Sequence, residues 1–353
     1  MRRGWCPTLF EPMQSGDGWL VRVKPPGGRL RPAQARALAD AARRHGSGAI
    51  ELTGRANVQV RGLSVASAAR FAAEMVAAGL AHADPPVERR RNVMLAPLAP
   101  PALLDVAAAL ETALADAAFA GLHGKFGFAV GLPGADVCIG FDGGWRVWPD
   151  GAALAQPCAD PVAAALALAR SADGRRMREV AGFVGTLPLP ALPLRRIGPI
   201  AGGYAVGLPF GATDAATLAQ LAACGTLWMT PWRAIVIAPE PSPAAGGDWG
   251  ARLPGLIHDP SDPRLSLVAC PGRPFCASAH AATRADAVRL AGMLPGLAVH
   301  LSGCAKGCAH PAPAAVTLVG GADGYALVRH GRAGDPPAHS GLTLDQAAAM
   351  LTS

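Results

Sequence analysis

A module that occurs twice constrains the fold of this 353-residue chain more than any other feature of its sequence. The first copy opens with a strand of alternating apolar and polar side chains, GWLVRV, and continues with a predicted helix that starts near Pro32. Two short strands come next, and Ser64 then caps a second helix with apolar residues at helical spacing. The order β-α-β-β-α predicts a ferredoxin-like half-domain over residues 14–85.

The second copy occupies residues 200–250 and repeats this order. It contains a predicted strand, a capped helix and two paired strands, which read GGYAVGLPFG, TDAATLAQLAACG, TLWMT and RAIVIAP. Repetition of the same elements at two places indicates internal duplication. The stretches LPLPALPLRR and APEPSPAAGGDWG, which are rich in proline, are predicted linkers.

Two α/β segments, residues 86–190 and 251–353, complete the predicted organisation. Each contains helices and a strand pair joined by a turn rich in glycine, DVCIGFDGGWRVWPDG in one and AVTLVGGADGYALVRHG in the other. We therefore predict an α+β fold with duplicated ferredoxin-like half-domains and two α/β segments. A pseudo-twofold arrangement is expected to place a site between the two halves.

The composition limits the classes of partner. Hydrophobic residues make up 51% of the chain, which allows substantial cores and excludes a disordered protein. The formal charge of +7 is dispersed, without the runs of like charge typical of nucleic-acid tails, and suits a small polyanionic molecule better. No apolar stretch reaches the roughly 18 residues of a membrane span. We expect a soluble, cytoplasmic protein with no nucleic-acid or membrane partner.

Four of the eight cysteines form two pairs of unequal spacing. Cys270 and Cys276 are separated by five residues, and Cys304 and Cys308 by three. A [4Fe–4S] cluster needs one thiolate per iron and accepts irregular spacing. Zinc usually binds more closely spaced pairs, so it is the weaker alternative, and unliganded core cysteines are a third. The other cysteines are predicted to be small buried residues outside the site: Cys6, Cys138, Cys158 and Cys224.

The pattern C-x5-C … S-G-C-x3-C resembles the cluster signature of the sulfite and nitrite reductase superfamily. The segment LTGRANVQVRG is similar to that superfamily's T-x-R-x-x-x-Q motif, whose arginine contacts tetrapyrrole carboxylates, and its matching residues are Arg55 and Gln59. The segments RNV at Arg91 and GKFGFAV at Lys125 look like the other two anion-binding elements. The resemblance implies that these four side chains bind the substrate.

Two departures from the superfamily pattern narrow the resemblance. Assimilatory reductases typically carry a second basic residue two places after the lysine, where this chain has Gly127, and they read C-P-N-x-C where this chain has CAKGC. These differences put a site for a small oxyanion in doubt. The start of the chain and the segment SGCAKGCAHPAPAAVTLVG are instead similar to one branch, the precorrin-3B synthase family of aerobic cobalamin biosynthesis.

This resemblance implies a monooxygenase-type oxidoreductase that uses oxygen and NADH to hydroxylate precorrin-3A at C20 with γ-lactone formation. Because no G-x-G-x-x-G follows a strand, we expect a separate reductase or ferredoxin to deliver electrons to the cluster. His310 and Lys306 are the catalytic candidates, since an imidazole moves protons near neutral pH and an ammonium group beside the thiolates offsets their charge.

Further possibilities stay open at this level. A mononuclear non-haem iron is a possible second metal, although no facial-triad spacing occurs. The alternatives to the synthase are a sirohaem-dependent sulfite or nitrite reductase and a non-catalytic, tetrapyrrole-binding iron–sulfur protein. Sirohaem is expected only under the first alternative.

Overall fold

A computed structural model describes residues 7–190, 196–238 and 249–352 of the chain. Cys6 and the central parts of both predicted linkers, 191–195 and 239–248, lie outside the described residues. The described residues form four sheets, two in ferredoxin-like units and two in α/β units. This architecture confirms the predicted α+β fold class, while the residue boundaries of the four segments stay a prediction.

The first ferredoxin-like unit packs its sheet against helices. Alternation along its second strand directs Val21 and Val23 into the core and Arg22 to the opposite face. Pro32 begins the first helix, and the Ser64 hydroxyl oxygen accepts a backbone N–H at the start of the second, as predicted. The elements are β1 (Met13–Ser15), β2 (Gly18–Val23), β3 (Arg29–Leu30), α1 (Pro32–His45), β4 (Ala49–Leu52), β5 (Val58–Leu63) and α2 (Val65–Ala77).

The first α/β unit follows directly, and proline begins three of its helices. Its elements are α3 (Pro85–Arg90), β6 (Val93–Leu95), α4 (Pro101–Ala113), β7 (Phe128–Val130), β8 (Val137–Phe141), β9 (Trp145–Pro149), β10 (Leu154–Cys158), α5 (Pro161–Ser171) and β11 (Leu187–Pro188). β6, β7 and β8 run parallel, and β9 and β10 return antiparallel.

The second ferredoxin-like unit exchanges a strand with the first. Its elements are β12 (Gly198–Ile200), β13 (Gly203–Gly207), β14 (Ala212–Asp214), α6 (Ala215–Ala222), β15 (Thr226–Met229) and β16 (Ala234–Ala238). β14 pairs with β4 in the first sheet, and β3 pairs with β15 in the second. The two sheets consequently have matching orders, β1-β2-β5-β4-β14 and β12-β13-β16-β15-β3, with pseudo-twofold symmetry.

The turn before each exchanged strand keeps one backbone conformation. Gly27 and Gly28 have φ of 59° and 65°, and Phe210 and Gly211 have φ of 55° and 76° at the equivalent place. A positive φ is costly for a residue with a side chain. Phe210 offsets that cost by burying its ring in the core of the last α/β unit, so the second copy uses the turn for packing between units.

The second α/β unit repeats the topology of the first. Its elements are α7 (Trp249–Arg252), β17 (Leu267–Ala269), α8 (Thr283–Met293), β18 (Val299–Ser302), β19 (Ala314–Gly321), β20 (Gly324–Gly331), β21 (His339–Leu342) and α9 (Leu344–Thr352). β17, β18 and β19 run parallel, and β20 and β21 return antiparallel. The strand pairs predicted from the sequence are β8–β9 and β19–β20.

The two ferredoxin-like sheets share one apolar core but differ on their outer faces. Ala205, Trp228 and Val236 on the second sheet pack into the core of the first α/β unit. The outer face of the first sheet is polar, since it carries Arg22, Lys24, Glu51, Gln59 and Arg61. Among the described residues, no helix is long and apolar enough to cross a membrane.

Candidate functional site

The four paired cysteines lie at one edge of the last sheet. Cys270 directly follows β17, and Cys304 follows β18 after a single glycine. Because β17 and β18 are parallel neighbours, their carboxyl ends meet at the same edge and bring the two thiols together. Cys276 and Cys308 lie farther along the same two loops. The topology therefore groups residues that are far apart in sequence.

Local contacts fix the surroundings of these thiols. The Gly303 backbone N–H donates to Cys270 Sγ at 3.2 Å, and Thr283 Oγ1 lies 3.6 Å from the same sulfur. Burial raises the pKa of Cys308, and the neighbouring thiols of Cys304, Cys270 and Cys276 raise it further. All four thiols are thus close enough to interact electrostatically. Binding of a cation at this place would relieve that repulsion between thiolates.

The donor set fits a cluster in kind and number. Four thiols from two loops can supply one thiolate to each iron, and a backbone N–H aimed at sulfur is a feature that tunes such clusters. A side chain at residue 303 would place its Cβ 2.6 Å from Ala279 Cβ, so glycine is required where the two loops meet. Within the described ranges, no three His, Cys, Asp or Glu side chains are arranged to hold a single metal ion. The cluster stays a prediction.

Arg55 contacts the backbone of Lys125, while a substrate contact for either side chain stays a prediction. Arg55 lies in the turn between β4 and β5, and its Nη1 donates to the Lys125 carbonyl oxygen at 2.8 Å. A narrow slot beside Arg55 is bordered by Asn92 and Gly127, at the amino ends of β6 and β7, and by Gly134 in the loop before β8. A Cβ at position 127 would lie 3.3 Å from the Asn92 carbonyl oxygen, so this place has little room for a second basic side chain.

Arg91 lies inside the protein, away from this slot. Its side chain is only 6% exposed and donates to both oxygens of Glu88, at 2.9 and 3.1 Å, and to the Lys24 carbonyl oxygen at 2.6 Å. Burial alone would lower the pKa of Arg91, but the carboxylates of Glu88 and Glu111 raise it. The Arg91 guanidinium is therefore bound by groups of the protein itself, and the neighbouring residue Asn92 borders the slot instead. A substrate contact for Arg91 stays a prediction.

Gln59 lies on the polar face of the first sheet and is engaged by protein. Its Nε2 donates to Glu51 Oε2 at 2.9 Å, and Glu51 Oε1 lies 2.5 Å from Arg284 of α8. The segment that carries Arg55 and Gln59 is thereby connected to the unit that carries the thiols. This bond uses only the NH2 group of the Gln59 amide, and a substrate contact for Gln59 stays a prediction.

Sequence reasoning missed two basic residues of the polar face. Arg22 is the cross-strand neighbour of Gln59, and its Nε is buried without a hydrogen-bond partner among the described residues. Lys24 Nζ donates to two backbone carbonyl oxygens at 2.7 and 2.9 Å. Burial lowers the pKa of Lys24 to about 7, and nearby arginines, including Arg22 and Arg55, act in the same direction. The alternation in GWLVRVK was the signal that pointed to this face.

The two catalytic candidates lie beside the thiols rather than in the slot. Lys306 Nζ donates to Ser278 Oγ at 2.9 Å and so joins the two thiol loops. Lys306, Cys304 and His280 line an open depression of about 670 Å³ on the last unit. Among the described residues, this depression and the Arg55 slot share no lining residue.

His310 faces a second imidazole. The ring centroids of His310 and His300 are 5.5 Å apart, and both ring nitrogens of His300 are buried without hydrogen-bond partners within the described residues. Burial lowers the pKa of His300 to about 4, and His310 and Arg233 add to this effect. His300 is therefore neutral at pH 7, while a proton-donating role for His310 stays a prediction.

Comparisons with known proteins identify the family of this chain. The family model of the nitrite/sulfite reductase ferredoxin-like half domain matches residues 11–78. A precorrin-3B synthase from Sinorhizobium sp is 35% identical to this chain, and the match covers 96% of this chain and 85% of the relative. The chain belongs to the precorrin-3B synthase family. This finding confirms the family suggested by the start of the chain and by the segment SGCAKGCAHPAPAAVTLVG.

A solved structure supports the fold of this member of the precorrin-3B synthase family. The structure of the Mycobacterium tuberculosis NirA protein has a TM-score of 0.67 and covers 94% of this chain and 79% of NirA. At 20% identity the likeness shows a shared architecture and carries no information on substrate. The ferredoxin-like units and α/β units described above are therefore common to both proteins.

Proposed function

We propose that this chain is a precorrin-3B synthase, which converts precorrin-3A to precorrin-3B in aerobic cobalamin biosynthesis. The reaction is an oxygen-dependent hydroxylation at C20 with γ-lactone formation, and NADH is the ultimate source of electrons. The observation that carries the proposal is the 35% identity to a precorrin-3B synthase over 96% of the chain. The basic side chains of the first sheet and the grouped thiols of the last unit support it. The cytoplasm is the expected location.

The substrate is a tetrapyrrole with eight acetate and propionate arms, so binding requires cations that are fixed in position. Arg55 is the first candidate, because its guanidinium borders the slot and can hold a carboxylate with two parallel hydrogen bonds. Arg22 adds a buried Nε that lacks a partner among the described residues. Lys125, Gln59 and Arg91 complete the proposed set on grounds of the family motif.

The thiols are proposed to hold a [4Fe–4S] cluster, with Cys270, Cys276, Cys304 and Cys308 as ligands. When bound, the cluster supplies one-electron transfer. A separate reductase or ferredoxin is proposed to deliver the electrons. Among the described residues, no side chains are arranged to hold the mononuclear non-haem iron left open by the sequence, so no step is assigned to it. Lys306 offsets thiolate charge, and His310 is the proposed proton donor.

Anaerobic purification and a single-turnover assay test this proposal. Protein with a reconstituted cluster, precorrin-3A, a reductant and ¹⁸O₂ should yield a product that gains one oxygen atom, detected by mass spectrometry. Product that forms equally well without oxygen would contradict the hydroxylation. Substrate binding without turnover under any electron donor would instead favour a non-catalytic, tetrapyrrole-binding iron–sulfur protein.

The reductase alternative has its own signature. A sirohaem enzyme shows an intense haem band and reduces sulfite or nitrite. Gly127, with its limited room, argues against a second basic contact for such a group. A haem band in the purified protein together with sulfite reduction would replace the synthase by this alternative.

A further inference from the structure

Arg61 of β5 joins the polar face of the first sheet to the loop that carries Cys276. Arg61 is 3% exposed, and its Nε and Nη2 each donate to a different oxygen of the Asp17 carboxylate at 2.9 Å, in a bidentate pair. Nη2 also donates to Ser15 Oγ and to the Phe275 carbonyl oxygen, both at 2.7 Å. Phe275 directly precedes Cys276. A single guanidinium thus holds the backbone next to a thiol 215 positions later in the sequence.

The same region of the first sheet touches the loop on the other side of Cys276. A Cβ at Gly16 would lie 2.4 Å from the Ala277 backbone nitrogen, which shows how closely the two backbones approach. Ser15 Oγ donates to the Phe275 carbonyl oxygen at 3.1 Å. The residues before and after Cys276 are therefore both placed by the β1–β2 turn together with Arg61 of β5.

A second branch of this network reaches Cys270. Glu51 accepts from Gln59, lies 3.5 Å from Arg61 and lies 2.5 Å from Arg284 in the first turn of α8. Thr283, the first residue of α8, donates its hydroxyl to the Cys270 carbonyl oxygen at 2.6 Å. The network consequently contacts the backbone beside both thiols of the first pair.

The charges of this network balance, with two arginines facing two carboxylates. Burial alone would lower the pKa of Arg61, but Glu51 and Asp17 raise it, so the guanidinium stays charged. A buried ion network adds little net stability compared with well-packed apolar side chains, because desolvation offsets the attraction. Its directed hydrogen bonds do fix geometry, and this is the property that a ligand loop requires.

We propose that Arg61 is a positioning residue that holds Cys276 in place for cluster binding through the Phe275 carbonyl oxygen. The inference rests on the proposed cluster site for its purpose, but the hold on the loop exists without a cluster. The first ferredoxin-like unit and the thiol site are then coupled, because the sheet that is proposed to bind substrate also sets the position of a cluster ligand.

Alkylation of the thiols in reduced, cluster-free full-length protein measures this hold directly. Loss of one charge-assisted hydrogen bond to the loop should raise the rate of Cys276 alkylation by iodoacetamide about 10- to 100-fold in Arg61→Met. Arg61→Lys keeps the charge but not the planar fork, and should give an intermediate increase. The rate at Cys304, which lies on the other loop, should change less than about threefold. Peptide mass spectrometry reads each site separately.

Arg176→Met is the matched control. Arg176 Nε lies 2.6 Å from a buried carboxylate, Asp136, so its loss also leaves an unpaired charge, but in the first α/β unit. Cys276 should alkylate at the wild-type rate in this variant. An equal increase in the control would mean general loosening and would overturn the proposal.

A cluster measurement separates this proposal from the proposed cofactor. Reconstituted Arg61→Lys should take up iron and sulfide but lose the cluster in air several-fold faster than wild type. If wild type itself takes up no cluster, the cofactor proposal fails, and alkylation still decides the role of Arg61. Unchanged Cys276 reactivity in Arg61→Lys would overturn the positioning role even if Arg61→Met did not fold.

Discussion

The two α/β units have the same strand order but use opposite edges of their sheets. In the last unit, Cys270 follows β17, and its backbone N–H donates to the Leu301 carbonyl oxygen at 3.2 Å. In the first unit, Ala96 follows β6 and makes the equivalent bond to Val130 at 2.9 Å. The scaffold position is identical, yet one copy offers a thiol and the other a methyl group.

This difference shows that the strand topology does not itself define a site. The first unit contributes the amino ends of β6 and β7 to the slot beside Arg55, whereas the last unit contributes the carboxyl ends of β17 and β18 to the thiol group. The loop after β7 spans residues 131–136, and the loop after β18 spans residues 303–313. The longer loop provides the chain length for Cys304, Lys306 and Cys308.

The largest effect is expected from the four grouped thiols at the sheet edge of the last unit. Replacing one of four cluster ligands should abolish the [4Fe–4S] centre, because one iron then lacks its thiolate. Cys304→Ser, reconstituted anaerobically, should show no stable iron and sulfide content and no cluster signal by EPR. Stoichiometric zinc without sulfide in the wild-type protein would contradict the cluster altogether.

The first unit supplies the control for this experiment. Cys138 is buried in β8, where its Sγ lies 3.6 Å from the Ala135 carbonyl oxygen. Burial raises the pKa of Cys138 to about 11, so it stays a neutral thiol. Cys138→Ala should keep the full iron and sulfide content. Loss of the cluster in both variants would mean that the first unit also contributes to cluster binding, which would contradict the assignment of the site to the loops of the last unit.

The next effect compares the two duplicated turns of the ferredoxin-like units. Arg55 lies in the β4–β5 turn beside the slot, while Arg233 lies in the β15–β16 turn and donates to the Ala309 carbonyl oxygen at 3.3 Å, next to Cys308. If Arg55 pairs with a substrate carboxylate, Arg55→Ala should weaken precorrin-3A binding by roughly 2–4 kcal/mol, about 30- to 1000-fold. Arg55→Lys should recover only part of this loss. Fluorescence or absorbance titration with precorrin-3A measures it.

Arg233→Ala is the comparison variant for substrate binding. We expect an affinity change below about threefold, since the hydrogen bond from Arg233 to the Ala309 carbonyl oxygen supports the thiol loop rather than the slot. The cluster spectrum of Arg55→Ala should match wild type, because Arg55 borders the slot, which among the described residues shares no lining residue with the depression beside the thiols. Equal losses of affinity in the two variants would show that substrate uses both turns, and the assignment of the cleft to the first copy would then be wrong.

The duplication and the fold class could be predicted because α1, α2 and their neighbouring strands carry clear periodic patterns. The strand exchange could not, because β3 has two residues and β14 has three, too few for any periodicity. Likewise, the motif grouped Arg91 with Arg55, but nothing in the spacing showed that Glu88 and Glu111 would enclose Arg91. Pairing of buried charges depends on tertiary contacts, which a single sequence does not display.

A smaller effect is expected where the two thiol loops touch. The Cβ added by Gly303→Ala would lie 2.6 Å from Ala279 Cβ, so the loops must move apart, at a cost of about 1–3 kcal/mol. The first unit offers Gly144, where an added Cβ would have no heavy atom within 4 Å outside its chain neighbours. Gly144→Ala should change the free energy of unfolding by less than about 0.5 kcal/mol. Urea unfolding of the cluster-free proteins distinguishes Gly303→Ala from Gly144→Ala. Similar urea midpoints for the two variants would contradict the close contact between the thiol loops.

The smallest effect concerns the last α-helix of each α/β unit, which is capped by a different residue in the two units. The Asp160 carboxylate accepts the backbone N–H groups of Val162 and Ala163 at 3.0 and 2.9 Å, at the start of α5. The Thr343 hydroxyl accepts the Gln346 N–H at 3.1 Å before α9. Asp160→Ala and Thr343→Ala should each lower the free energy of unfolding by about 1 kcal/mol, because the backbone N–H groups at the start of the helix lose their side-chain acceptor. If the two units are equivalent scaffolds, the urea midpoint should fall by similar amounts in the two variants while the cluster content stays unchanged. A loss of cluster in Asp160→Ala would show that the first α/β unit stabilises the thiol site from a distance. The conclusion that the thiol site depends on the loops of the last unit alone would then be wrong.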